Sequence, residues 1–302
     1  MSDRKNHVSS QTHAAFSRRD AARLMLGASV LAAAPRSFAA DFGTNGNVTP
    51  LFPLKPPFPI DDNEIKIKTP DGMADAAVIR PERGAFPCVV MWPDAMGLRP
   101  ETRALATRIA SEGYQVLLPN PFYRTADAAT ALTFKGADRE KLYAPLTISG
   151  AVELDASVFI AYVLNMIPDT KGGMVGAIGY GLGGAYALRT AAAEPRRVQA
   201  LIALHAGNTL PIDAIRYLRA HTFIGIAAED DQKQPNIKEN LRKAFANANN
   251  PADVEVYAGT KAGFCVPGPG YNAAQAEKAT AKTIAFLREH IIVGSANPSL
   301  KF

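Results

Sequence analysis

Met174-Val175-Gly176-Ala177-Ile178-Gly179-Tyr180-Gly181-Leu182-Gly183-Gly184-Ala185 passes from a short apolar run through a glycine-rich turn into a helix-like stretch over residues 185–193. An apolar strand that feeds a helix through a tight turn is the repeating unit of a parallel sheet covered on both faces. Working outward from it, the same alternation continues. Strands are predicted at 174–178, 198–204, 223–227 and 254–257, with helices at 237–248 and around Ile284, Leu287 and Ile291. Upstream lie strands at 88–92 and 115–118 and a helix at 101–112. A second upstream helix carries Val152, Ala156, Phe159, Val163 and Ile167, spaced to keep one face inward. Stretches 64–68 and 74–79, around the turn Thr69-Pro70-Asp71-Gly72, read as an antiparallel hairpin that opens the sheet. The expected fold class is α/β, a mostly parallel sheet with helices on both faces.

Composition agrees with one full core. The chain has 302 residues, 47% hydrophobic and 20% charged, with 23 Gly and 22 Pro, which excludes disordered, collagenous and disulfide-stapled classes. Of the formal charge of +5, residues 1–39 supply +4, so the body is close to neutral. A neutral body gives no electrostatic reason to expect nucleic acid or an anionic membrane as partner. Ser17-Arg18-Arg19-Asp20, the apolar run from Leu24 to Ala34 and Ser37-Phe38-Ala39 resemble a twin-arginine export signal, with cleavage expected near Ala39 and a periplasmic or secreted product. The run is too short to span a bilayer. The expected organisation is signal peptide 1–39, proline-rich extended arm 40–62, domain 63–292 and tail 293–302. Cys88, inside an apolar strand, reads as a small buried hydrophobe rather than half of a disulfide with Cys265.

The turn itself admits three readings. Gly179, Gly181 and Gly184 satisfy the dinucleotide pattern G-x-G-x-x-G, but that pattern wants an acid at the end of the next strand, where Ala203-Leu204-His205-Ala206 stand. Gly179 and Gly183 also flank a nucleophile elbow, G-x-nucleophile-x-G, whose nucleophile slot holds Gly181. In the third reading the glycines only permit a tight turn and close packing.

Several ordered segments carry a resemblance. Trp92-Pro93-Asp94-Ala95-Met96-Gly97-Leu98-Arg99-Pro100, then Gly113-Tyr114 through Leu118-Pro119-Asn120-Pro121-Phe122-Tyr123-Arg124, the elbow, and Tyr257-Ala258-Gly259 to Gly263-Phe264-Cys265 resemble the dienelactone hydrolase family over roughly residues 63–292. These are carboxymethylenebutenolidase-like enzymes of the α/β-hydrolase fold. The resemblance implies a Cys or Ser nucleophile, an Asp and a His. It sets the acid at Asp230, with Asp231 as near competitor, the nucleophile at Gly181 and the histidine at Ala262. Two of the three positions therefore lack a reactive side chain. It implies oxyanion-hole donors at the backbone N–H groups of Leu182 and Ala95. It also implies a ligand-carboxylate contact at Arg124, with Tyr123 and Asp94 alongside.

Among other residues, His205 and Cys265 are the remaining recruits for a rebuilt site. No Cys, His or carboxylate cluster has metal-ligand spacing, and no cofactor is implied. The sequence thus leads to the expectation of a dismantled hydrolytic centre that keeps an anion-favouring pocket for a small acidic ligand. The alternatives are an ester or lactone hydrolase with substitute groups, and the dinucleotide reading.

Overall fold

The computed structural model describes residues 59–167 and 170–291. The expected signal peptide, most of the arm and the tail lie outside these residues.

Eight strands form one sheet in the order β1-β2-β4-β3-β5-β6-β7-β8. The hairpin β1 (Ile60–Thr69) and β2 (Gly72–Pro81) is antiparallel, as is β2 with β4 (Gln115–Pro119). From β4 onward every pairing is parallel, through β3 (Phe86–Trp92), β5 (Thr170–Tyr180), β6 (Val198–Leu204), β7 (His221–Ala227) and β8 (Ala252–Tyr257). The mixed sheet with an opening hairpin is the expected architecture. Ile60, Asp61 and Asp62, expected in the arm, instead pair with Pro81, Arg80 and Ile79 in β1.

The central strands are buried on both faces, which is why they read as continuous apolar runs rather than alternating ones. One face packs Trp92, Phe159, Tyr186 and Leu188 under α4 (Ala151–Asn165) and α5 (Leu182–Ala193). The other packs Met91, Ile109, Ile284 and Leu287 under α1 (Pro100–Ala110) and α8 (Ala273–His290). Trp92 closes the first layer by donating its ring N–H to the Thr190 hydroxyl at 2.9 Å. Cys88 is fully buried in β3, where its thiol faces the Val163 carbonyl at 3.7 Å, and it forms no disulfide with Cys265.

Helix α5 starts at Leu182, earlier than the predicted 185. Glycine propensity argues against helix at 183 and 184, but packing overrides it. A Cβ on Gly183 would stand 2.3 Å from the Pro93 carbonyl oxygen and 2.5 Å from that of Trp92. Only glycine lets the first turn of α5 approach the end of β3 so closely. Between β4 and α4 the chain inserts short turns not legible beforehand, among them α2 (Ala128–Ala131), a one-turn helix at Gly136–Arg139 and α3 (Glu140–Tyr143). Such pieces are too short to show a period. The remaining helices are α6 (Ala228–Lys233) and α7 (Ile237–Asn247). No single helix among the described residues is long and apolar enough to cross a membrane.

Candidate functional site

The register places Trp92 opposite Gly179, Tyr180 opposite Leu204, and Ala227 opposite Tyr257, so the strands end along one rim of the sheet. Loops leaving that rim build the site, as expected for an open α/β sheet.

Gly181 is the sharp point between β5 and α5. Its φ of 53° and ψ of −119° lie in a region costly for any residue with a Cβ. The turn is held by its N–H donating to the Leu204 carbonyl at 2.8 Å, while its own carbonyl accepts from Gly184 N–H at 2.9 Å. This is a sharp strand-to-helix turn with a glycine at its tip. Leu182 is the first residue of α5, so its N–H has no acceptor within the helix and carries the positive end of the helix dipole.

The loop after β3 stands against this tip. A Cβ on Gly181 would be 3.7 Å from the Asp94 Cβ. Asp94 is held by Arg99, whose two terminal nitrogens reach its two carboxylate oxygens at 2.5 and 2.9 Å. Asp94 Oδ1 also accepts the Met96 N–H at 2.9 Å. The Ala95 carbonyl accepts from Arg139 Nη2 at 2.6 Å and from the Tyr143 hydroxyl at 3.0 Å, so the insertion after β4 clamps the loop.

His205 leaves the end of β6 with a φ of 42°, and its ring faces the elbow. Its Nδ1 and Cε1 would both lie 3.3 Å from a Cβ on Gly181. The ring is 5% exposed, packs edge-on to Phe264 at 5.8 Å between centroids, and has a buried Nε2 with no hydrogen-bond partner. Burial pushes its pKa down to about 4, against a smaller upward pull from Asp94. A depressed folded-state value means that the unfolded chain takes up the proton first. Stability contributed by the neutral ring is therefore complete above about pH 6.5 and is lost as pH falls toward about 4. The loss over that window is expected to be roughly 3 kcal/mol. Urea unfolding at pH 7 and pH 4.5 checks it: His205→Asn, which tolerates positive φ, should show a correspondingly shallower loss.

Asp230 sits on α6, and its Oδ2 would be 3.1 Å from a Cβ on Gly207. Burial raises its pKa, with Lys233 pulling the other way. The loops after β7 and β8 are stitched together by Ala228 N–H donating to the Thr260 hydroxyl at 3.1 Å and Glu229 N–H to the Thr260 carbonyl at 3.0 Å. That stitch brings the Ala262 loop alongside Ala228 and Glu229, where α6 begins, and Ala262 itself is exposed. Cys265 is fully buried in the apolar layer, and burial pushes its thiol well above the usual range. A thiol so desolvated supplies no thiolate. An apolar pocket of about 160 Å³ opens beyond Gly207, between Leu210, Ile237 and Leu241; it includes none of Gly181, Leu182 or Ala95 and is separate from the elbow.

Arg124 and Tyr123 are engaged elsewhere. The Arg124 guanidinium reaches both oxygens of Asp155, at 2.7 and 2.9 Å, and Asp71 at 2.7 and 2.9 Å. Tyr123 donates to Asp155 at 2.7 Å and accepts from Thr69 at 3.0 Å. This network ties the β1–β2 turn, the loop after β4 and α4 together, and it uses the charge of Arg124 on internal carboxylates. Sequence reasoning missed Asp155. The available signal was an acid three positions after Val152 on the inward face of α4, where a carboxylate needs a cation. Among the described residues no group of three or more His, Cys, Asp or Glu side chains is placed to hold a metal ion.

Comparison with known proteins bears on this geometry. The dienelactone hydrolase family model matches residues 74–291. A carboxymethylenebutenolidase from Rhodococcus opacus is 26% identical over 230 residues, 72% of this chain and 86% of the relative. Solved structures share the fold. A dienelactone hydrolase-like promiscuous phosphotriesterase from metagenomic libraries has a TM-score of 0.66 at 18% identity, covering 76% of this chain and 98% of the other. A dienelactone hydrolase from Anabaena variabilis has a TM-score of 0.57 at 16% identity, with the same coverage. With the match spanning nearly every strand of the sheet and the elbow at its centre, the chain belongs to the dienelactone hydrolase family and has the α/β-hydrolase fold.

Proposed function

We propose that this chain is a non-hydrolytic member of its family that binds a small acidic ligand at the elbow. The observation that carries the reading is Gly181, an elbow backbone with no attacking atom at its tip. Acyl transfer by the family route needs a nucleophile and a base. Gly181 and Ala262 supply neither, and the burial of Cys265 argues against it as a substitute. On this reading the donors for an oxyanion are the Leu182 N–H at the start of α5, which has no acceptor within the helix, and the Ala95 N–H in the clamped loop after β3. The name of the curated relative, carboxymethylenebutenolidase, denotes a lactone bearing a carboxymethylene group and supports an acidic ligand. The Ser17-Arg18-Arg19 leader supports an exported product.

Leu182→Pro tests the reading. Proline is tolerated at the first position of a helix and removes the N–H in question, and the Gly181 conformation is the mirror image of the extended one that precedes proline. The control is Leu182→Ala, which trims the same partly buried side chain but keeps the N–H. Calorimetry with short carboxylates is expected to show binding by the parent protein and about 10-fold or greater weakening in the variant. Purified parent protein is expected to turn over neither p-nitrophenyl acetate nor dienelactone above buffer. Turnover that disappears in His205→Asn would overturn the proposal in favour of a hydrolase with a rebuilt site.

A further inference from the structure

We propose that Arg139, carried by the insertion between β4 and α4, is the cation that grips the ligand's carboxylate. The ligand class is then a short acid whose second end is a carbonyl or ester oxygen seated on the elbow N–H groups. The inference rests on the binding function proposed above and deepens it.

The charges around the tip lead to Arg139 by accounting for the others. Asp94 has both oxygens on Arg99, and Arg124 is held by Asp155 and Asp71. Arg139 differs from both. Its donors go to neutral oxygens alone: Nη2 to the Ala95 carbonyl at 2.6 Å, Nη1 to the Phe134 carbonyl at 3.2 Å and Nε to the Tyr143 hydroxyl at 3.4 Å. Among the described residues no carboxylate pairs with it; the adjacent Asp138 is taken by Lys141 at 2.6 Å. A half-buried guanidinium with neutral partners is a full positive charge awaiting an anion.

Its place is set by the loop that it touches. Arg139 lies on the carbonyl of Ala95, next to Asp94, whose Cβ is 3.7 Å from where a Cβ on Gly181 would be. The three hydrogen bonds leave one N–H free on each terminal nitrogen. Two such N–H groups form a fork that matches the two oxygens of a carboxylate. At the tip, Leu182 opens α5 and His205, 5% exposed, has a buried Nε2 without a hydrogen-bond partner, its Cε1 and Nδ1 being 3.3 Å from where a Cβ on Gly181 would stand. An acid long enough to span from Arg139 to Leu182 satisfies both donor sets.

The experiment compares two probes of equal length, monomethyl succinate, which keeps one carboxylate, and dimethyl succinate, which has none. Calorimetric titration of the parent protein is expected to favour the acid. Arg139→Gln should weaken the acid by about 10- to 100-fold more than it weakens the diester. Arg139→Lys, which keeps charge but loses the fork, should fall between and carries the test should the Gln variant not fold. Tyr143→Phe removes the other donor to Ala95 and the acceptor of Arg139 Nε but leaves the guanidinium charge in place, so a loss that comes from slackening the loop should move both probes alike. If the parent binds the acid and neither Arg139 variant weakens it, or if both probes weaken together as in Tyr143→Phe, Arg139 is only a clamp and this inference fails while the binding function stands. If the parent binds neither probe, the binding function itself fails, and this inference with it.

Discussion

Gly181→Cys combined with Ala262→His is expected to hydrolyse p-nitrophenyl acetate roughly 10²- to 10⁴-fold faster than Gly181→Cys alone, the usual contribution of a positioned general base. The single variant has a thiol beside His205, since a Cβ at 181 falls 3.3 Å from its ring. That ring is the wrong partner. With a pKa near 4, it lies about 4–5 units below an ordinary thiol, so the pair remains thiol and neutral imidazole. A histidine at 262 would instead be exposed, on a loop stitched through Thr260 to Ala228 and Glu229, next to Asp230 in the chain. Gly181→Cys should also cost about 1–3 kcal/mol in urea unfolding, because it places a Cβ at positive φ and presses the His205 ring. A single variant as fast as the double would show that His205 serves as base after all.

Asp155→Ala is expected to lose about 3–5 kcal/mol, the cost of leaving one partner of a buried ion pair without the other. For a domain of this size that corresponds to a fall in melting temperature of roughly 10 °C. The side chain of Asp155 is fully buried and that of Arg124 is 9% exposed, so neither group can turn to water when its partner is removed. Asp71→Asn makes the contrast. Its carboxylate touches the same guanidinium but is 46% exposed, and its loss should cost below about 1 kcal/mol. Arg124→Met with Asp155→Leu should recover most of the stability, since replacing both charges leaves neither desolvated alone. An Asp155→Ala protein that melts within a degree or two of the parent would show the network to be incidental.

The comparison of these two sites shows where sequence reading has purchase. The elbow was legible because its constraints are local: a strand, a turn of fixed backbone geometry and a helix must follow one another, and glycine at 179, 181 and 183 is what that geometry permits. That a glycine stands at 181 needed only a residue name. Arg124 was a different case. Its sequence position resembles a ligand contact, yet its guanidinium meets Asp155 from α4 and Asp71 from the hairpin, each distant in the chain. Arg139 gave no signal at all, because it lies in a segment of single turns with no period.

The amino-acid sequence by itself determined the α/β layering, the parallel run of strands, the opening hairpin and the absence of reactive atoms at residues 181 and 262, all properties of neighbours along the chain. Tertiary structure alone decided which charges neutralise one another, that His205 turns its ring toward the elbow, and that Cys265 is sealed in the core. The physical reason is range. Backbone conformation and hydrophobic period are set within a few residues, whereas desolvation and ion pairing depend on whatever the fold brings within a few ångströms.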